Sequence, residues 1–445
     1  MSLIKLAIAT GILLGASYLL NNPAPQIPVL PETWWGPRNE EIVDKSIRPF
    51  KVVFPKKDVE DLKTRLRNTR MPQPSMEGTA WTYGIHSNFI PIIIDHWLKY
   101  DFQKREAHIN KYPQFTTNIQ GLDIHFLHVK PEKTEGKRVL PLLILHGWPG
   151  SVLEFYKIIP LLTSPRKNFD VVFEIIAPSL PGFGFSSGAI KPGLGATQMA
   201  VVLKNLMLRL GFQKFYSQGG DWGAIITEQM ASLFPEHVSR IHSNMCVSTA
   251  PWTLFKTILY SLFPSLIVSD EDYHLLYPLS KHWVQMFKNS AYFHLQATRP
   301  DIIGIAFSDS PVGFAAYILE KFAGATNKSN LLKDDGGLFE TFTPDELIDN
   351  LMMYWISNSQ TTSMRIYAES FNHDRYKLGL DSLPITVPSA CAQFPNEIFY
   401  QPKGLLKDRF KNLIRVTRMP RGGHFAAMEE PELLADDIWL SLGNI

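Results

Sequence analysis

Hydrophobic and polar residues change rhythm several times along this chain, and each change marks a different kind of structure. Leu3 to Leu20 is apolar apart from Lys5 and a few small residues. As a helix rising 1.5 Å per residue, that stretch reaches about 27 Å, close to one hydrocarbon core. It predicts an N-terminal transmembrane anchor over residues 1–20; a cleaved signal peptide with Gly15-Ala16-Ser17 as its small-residue site is the competing reading. Asn21 to Pro31 is proline-rich and reads as a stiff linker. Trp34-Trp35-Gly36 follows, suited equally to a membrane interface and to packing on the domain. Helical spacing then runs through residues 50–115, as in Val59, Leu62 and Leu66 or Phe89 to Leu98, so residues 21–114 form a linker and an N-terminal helical arm.

From residue 115 the period shortens. Phe115–Ile119 and Leu122–Val129 flank a Gln120-Gly121 turn and predict a hairpin. Val139–Leu145 and Val171–Ala177 are nearly continuous apolar runs, the mark of buried parallel strands. Helices over Gln198–Leu210 and Ala224–Phe234 alternate with strands over Lys214–Ser217 and Ile241–Met245, which means a parallel α/β sheet over residues 115–250. Residues 251–378 lose this rhythm and become aromatic and helical, as in Val312–Phe322 and Pro344–Tyr354. Strand signals return in residues 379–445, at Ile385–Phe394 and Leu413–Val416, before a last helix over Leu433–Leu442. A helical block inserted into a parallel sheet reads as a lid over the C-terminal ends of the strands, where ligands bind.

Composition narrows the classes. With 45% hydrophobic and 19% charged residues the chain can bury a large core. A net charge of +2 without a basic stripe excludes a nucleic-acid footprint. Two cysteines, Cys246 and Cys391, imply no disulfide framework and fit a reducing compartment. No Cys/His cluster has the spacing of a metal site, and no cofactor motif is present.

Three short motifs carry chemistry. Gly219-Gly220-Asp221-Trp222-Gly223 lies between a strand and a helix, the setting of a nucleophile elbow. With aspartate in the central place, the nucleophile is a carboxylate that can attack carbon and become an ester. His146-Gly147-Trp148-Pro149-Gly150 follows a buried strand, where this architecture draws one N–H of its oxyanion hole; the backbone groups of Trp148 and Trp222 are the expected donors, with His146 orienting the loop. Gly422-Gly423-His424-Phe425 follows the last strand and supplies the base. The chain order nucleophile, acid, histidine puts the acid between residues 221 and 424; Glu397 fits, while Asp374 and Asp381 precede the strand.

These motifs, together with Lys45-Ser46-Ile47-Arg48-Pro49-Phe50, Asp309-Ser310-Pro311-Val312-Gly313 and Arg421 to Ala427, resemble the microsomal epoxide hydrolase family, most closely its insect juvenile hormone branch. The resemblance implies an α/β-hydrolase fold with an inserted helical lid and an N-terminal membrane anchor. It implies Asp221 as nucleophile, Glu397 as acid, His424 as base, and two lid phenols, Tyr292 and Tyr367, that periodicity could not have selected from 15 tyrosines. It further implies a small lipophilic epoxide, hormonal or xenobiotic, as substrate, no cofactor, and attachment to the endoplasmic reticulum membrane with the catalytic domain in the cytosol. Large apolar lid residues, including Trp252, Phe255, Phe287, Phe293 and Phe307, are expected to line its pocket. Two other readings are haloalkane dehalogenation, which shares the aspartate nucleophile, and a silent carrier of lipophilic ligands.

Overall fold

The apolar runs of the middle of the chain become the middle of one twisted sheet. The computed structural model describes residues 26–37, 43–371 and 378–443. Its nine strands are β1 (Arg48–Phe50), β2 (Gln114–Ile119), β3 (Leu122–Val129), β4 (Arg138–Leu145), β5 (Val171–Pro178), β6 (Phe215–Gly219), β7 (Val238–Ser243), β8 (Ser389–Gln393) and β9 (Leu413–Arg418). Their order is β1-β2-β3-β5-β4-β6-β7-β8-β9. The first three are antiparallel; from β5 to β9 all neighbours are parallel. The predicted hairpin and core strands therefore stand, and β1 is an edge strand of three residues, too short for its period to show in the sequence. β8 begins later than expected, because Ile385 makes only an isolated bridge, to Phe410.

Helix α1 (Lys56–Arg67), α2 (Ile90–Lys99) and α3 (Phe102–Ile109) form the arm. Helices α4 (Ala196–Arg209) and α5 (Asp221–Leu233) pack together beside the sheet. The lid comprises α6 (Pro251–Leu259), α7 (Leu279–Asn289), α8 (Ala291–Thr298), α9 (Pro300–Asp309), α10 (Pro311–Thr326), α11 (Pro344–Ser357) and α12 (Gln360–Ser370), with shorter turns between them. Thr343 and Glu346 close a reciprocal cap on α11, a local reason for its start.

The arm braces the lid. Arg105 and Tyr100 of the arm both bond Asp349 on α11, the tyrosine at 2.7 Å. On that helix Asn350 donates to Pro149 O at 2.8 Å and Tyr354 to Gly150 O at 2.5 Å, so it grips the loop after β4 in turn. The arm is thus connected to that loop through one helix.

Two expectations need correction. Cys246, just after β7, and Cys391 in β8 are joined in a buried disulfide. The lid inserted between them separates them by 145 residues, but β7 and β8 are adjacent, with Ser243 opposite Cys391. The lid aromatics also divide. Phe293 and Phe307 pack inward, Trp252 and Phe255 stack on each other, and Phe287 is 83% exposed. Trp35 is buried and its N–H donates to Gln120 O, so that tryptophan packs on the domain. Leu3 to Leu20 lies outside the described residues; among those described, no helix is long and apolar enough to cross a membrane.

Candidate active site

β6 ends at Gly219 and α5 begins at Asp221, leaving no room for a relaxed turn. Asp221 is held at φ 50°, in the left-handed region. For a residue with a side chain this costs on the order of 1–3 kcal/mol and persists only where the surroundings enforce it. They do: a side chain at Gly223 would run into the backbone of Leu145, and one at Gly147 into the Asp221 carboxylate. The Trp148 N–H donates to Asp221 Oδ1 at 2.7 Å. His146 serves the loop as expected: its ring bonds Gly147 O at 3.0 Å and accepts the Leu180 N–H at 3.1 Å. Burial pushes its pKa down to about 4, so it is neutral.

The loops after β8 and β9 bring the other two groups to the same strand ends, and Asn396 N–H to Gly422 O at 3.2 Å ties those loops together. His424 Nδ1 lies 2.6 Å from Glu397 Oε1, and its Nε2 3.4 Å from Asp221 Oδ2. All three side chains are largely enclosed. Burial alone would lower the His424 pKa, but the Glu397 charge and the bonds to Asp221 and Glu397 hold it well above the ordinary value. Of the weaker acid candidates, Asp381 accepts from Thr249 instead, and Asp374 lies outside the described residues.

Tyr292 on α8 and Tyr367 on α12 hang from the lid over this group. Their rings lie 6.0 Å apart and nearly perpendicular to each other. The Trp148 ring stacks on Tyr292 at 5.6 Å and meets Tyr367 edge-on at 5.8 Å, while Trp222 meets Tyr367 at 4.8 Å. Burial raises both phenol pKa values, so each is a proton donor at neutral pH. The site thus sets a carboxylate below two phenols, with an imidazole alongside. It can attack an electrophilic carbon from one side while protonating the oxygen that leaves from the other.

Two acids were missed. Glu429, on the short helix Ala426–Glu429, accepts the Phe425 N–H at 2.8 Å, gripping the backbone just after His424. Glu154, in the turn Val152–Phe155, packs its carboxyl against Gly150 of the loop that carries Trp148. The available signal was a lone acid within the apolar run Val152-Leu153-Glu154-Phe155.

Two family models match the chain: "Epoxide hydrolase N terminus" over residues 47–155 and "alpha/beta hydrolase fold" over residues 141–265. Juvenile hormone epoxide hydrolase 2 of Ctenocephalides felis is 50% identical over 94% of this chain and 89% of its own length. Epoxide hydrolase 1 of Sus scrofa is 43% identical over 93% of each chain. The crystal structure of juvenile hormone epoxide hydrolase from Bombyx mori superposes with a TM-score of 0.91 at 46% identity, covering 93% of this chain and 98% of that one. With the α/β-hydrolase sheet, the inserted lid and this similarity over nearly its whole length, the chain belongs to the epoxide hydrolase family.

Proposed function

We propose that this enzyme converts lipophilic epoxides to vicinal diols through an ester on Asp221, and that juvenile hormone is the first substrate to test. The observation that carries the mechanism is the position of Asp221: one oxygen takes the Trp148 N–H and the other faces His424. Oδ2 attacks the ring carbon while Tyr292 and Tyr367 receive the opening oxygen, and one phenol gives up its proton. His424, oriented by Glu397, then takes a proton from water, and the water oxygen attacks the ester carbonyl. Oδ1 carries the resulting charge against the Trp148 N–H, with the N–H of Trp222 as the second donor. No cofactor takes part.

The hormone assignment rests on the names of the relatives and on the aromatic box around the phenols. Apolar burial contributes about 25 cal/mol per Å², which favours a long terpenoid chain over a small epoxide. The test is kcat/KM for a juvenile hormone epoxide against a small polar epoxide; a preference for the small one contradicts the assignment.

Residues 1–20 are proposed to anchor the enzyme in the endoplasmic reticulum membrane with the catalytic domain in the cytosol. The Cys246–Cys391 bridge favours the opposite orientation, since disulfides persist in oxidising compartments. Asn327-Lys328-Ser329 is a glycosylation sequon just after α10 and reports on this. Glycan on Asn327 in the native host means a lumenal domain; an unmodified Asn327 together with free thiols supports the cytosolic one.

A further inference from the structure

The lid contains one helix that the fold does not use to build its core. None of the eleven residues of α7 is buried. Its side chains are nevertheless sorted by character. At about 100° per residue, Trp283, Val284, Met286 and Phe287 fall within an arc of about 160°, while Lys281, Gln285 and Lys288 lie on the other side. All four apolar residues are exposed. An amphipathic helix of a globular domain ordinarily turns such a face to the core. Here Leu279, at the start of α7, packs on the small cluster of Val268, Leu276, Tyr277 and Leu405, which pins that end of the helix to the lid.

The exposed face continues beyond α7. Tyr277, two residues before it, donates to Thr257 O at 3.0 Å, which brings the start of α7 against α6. On α6, Leu254 and Ile258 are exposed one turn apart, and the turns that follow expose Leu262, Phe263 and Leu266. Single exposed apolar side chains are ordinary, but a group of them on neighbouring elements marks a surface that is covered in use.

Composition and the path of the chain both say what covers it. Tryptophan and phenylalanine on one side with lysines on the other is the makeup of a helix that lies in the plane of a bilayer surface. The linker brings a membrane within reach. Leu30 packs on the cluster of Leu233, Leu380 and Leu383, and Asp381 in the same turn accepts from Thr249 at 2.6 Å, two residues before α6 begins. The ten residues from Leu20, where the apolar N-terminal stretch ends, to Leu30 span at most about 35 Å. Ile27 and Val29 of that linker are exposed as well. At its other end α7 leads through Ser290 into α8, the helix that carries Tyr292.

We propose that this lid face docks on a phospholipid bilayer, with Trp283, Val284 and Phe287 among the acyl chains, so that epoxides dissolved in the membrane enter beside Tyr292. The proposal rests on the membrane attachment proposed for residues 1–20: the anchor tethers the domain and the lid face orients it.

The test uses the full-length enzyme in phosphatidylcholine vesicles, either plain or with brominated acyl chains, which quench tryptophan on contact. The fluorescence owed to Trp283 is the difference between wild type and Trp283→Phe. That share should fall by about half or more in the brominated vesicles, as for a helix seated about 5–10 Å into the interface. Val284→Asp/Phe287→Asp should still float with the vesicles, while its Trp283 escapes quenching. Its kcat/KM should drop about tenfold for a long-chain epoxide held in the bilayer and stay within about twofold for a small water-soluble one, the scale of losing the burial of one apolar side chain. Wild type that floats with Trp283 unquenched overturns the docking alone; wild type that does not float overturns the anchor and the docking together. An equal loss on both epoxides in the double variant means that the face serves the fold. Dimers in detergent that the double variant dissolves, with Trp283 unquenched in vesicles, mean that a second copy covers it. Either result overturns the proposal.

Discussion

His242 and His424 are both buried and each faces a carboxylate, yet their surroundings are balanced differently. His242, on β7, lies 3.0 Å from Asp437 on the last helix, Pro431–Leu442. The other oxygen of Asp437 takes Arg415 at 2.7 Å and Thr417 at 2.6 Å, both from β9. Burial would raise the Asp437 pKa, but these donors, His242 foremost, hold it at about 2. Around His424 the balance is reversed. One imidazole serves Asp221 and Glu397, and Glu397 Oε2 is buried with no hydrogen-bond partner among the described residues. Glu154 and Glu429 stand beside them, pushed up to about 8, chiefly by burial. The nucleophile itself sits in strained backbone. A carboxylate with donors on both oxygens, an arginine among them, contributes stability; a cluster whose acids share a single imidazole as their cationic partner keeps groups poised to react.

Substitutions should separate the two clusters. Asp221→Asn should lower turnover by about 10⁴-fold, the scale of losing one member of a catalytic unit, while its melting temperature stays level or rises because an acid in a crowded acidic site has been removed. A marked loss of stability in that variant would mean that the active cluster also holds the fold together. Tyr292→Phe with Tyr367→Phe should come next, slowing ring opening by about 10²-fold or more for each lost donor. Stopped-flow measurement of ester formation reads this step, and a normal rate would remove the phenols from the mechanism.

Asp437→Asn should do the reverse. Leaving His242 and Arg415 with a broken partner should cost about 3 kcal/mol in denaturant unfolding, while kcat/KM changes less than twofold. The pH dependence sharpens the contrast further. The folded state holds protons on Glu154 and Glu429 to about pH 8, whereas unfolded glutamates release them near 4.5. Their burial therefore makes stability fall as pH rises from about 4.5 to about 8. Asp437, depressed from 3.8 to about 2, contributes stability that is full above 3.8 and lost as pH falls through 2. Unfolding of Glu154→Gln/Glu429→Gln should show a flatter slope between pH 5 and pH 8 than wild type; an unchanged slope would contradict the charge balance described.

What was legible in the residues follows from range. Asp221, Trp148 and His424 announce themselves because each lies in a glycine-rich turn directly after an apolar strand, a purely local signal. Tyr292 and Tyr367 meet only because lid helices 75 residues apart fold over the same strand ends, and no local pattern marks them. The disulfide escaped for the same reason: strand adjacency, not spacing, pairs Cys246 with Cys391. Edge strand β1 escaped because three residues are too few to show a period of two. Glu154 and Glu429 each sit four residues past the end of a recognised motif, at Gly150 and Phe425, where an acid reads as an ordinary helix cap; only the packing around them shows that they are enclosed.

The central claim is that Asp221 forms the bond to substrate. A single turnover of the wild-type enzyme in water enriched in heavy oxygen tests it most directly, read by mass spectrometry of both the diol and the peptide containing Asp221. The ester route predicts label in the Asp221 carboxylate and none in the first diol, because the oxygen that leaves with the product came from the aspartate. Label in that first diol with Asp221 unlabelled would mean that water opened the ring directly, and would contradict the account.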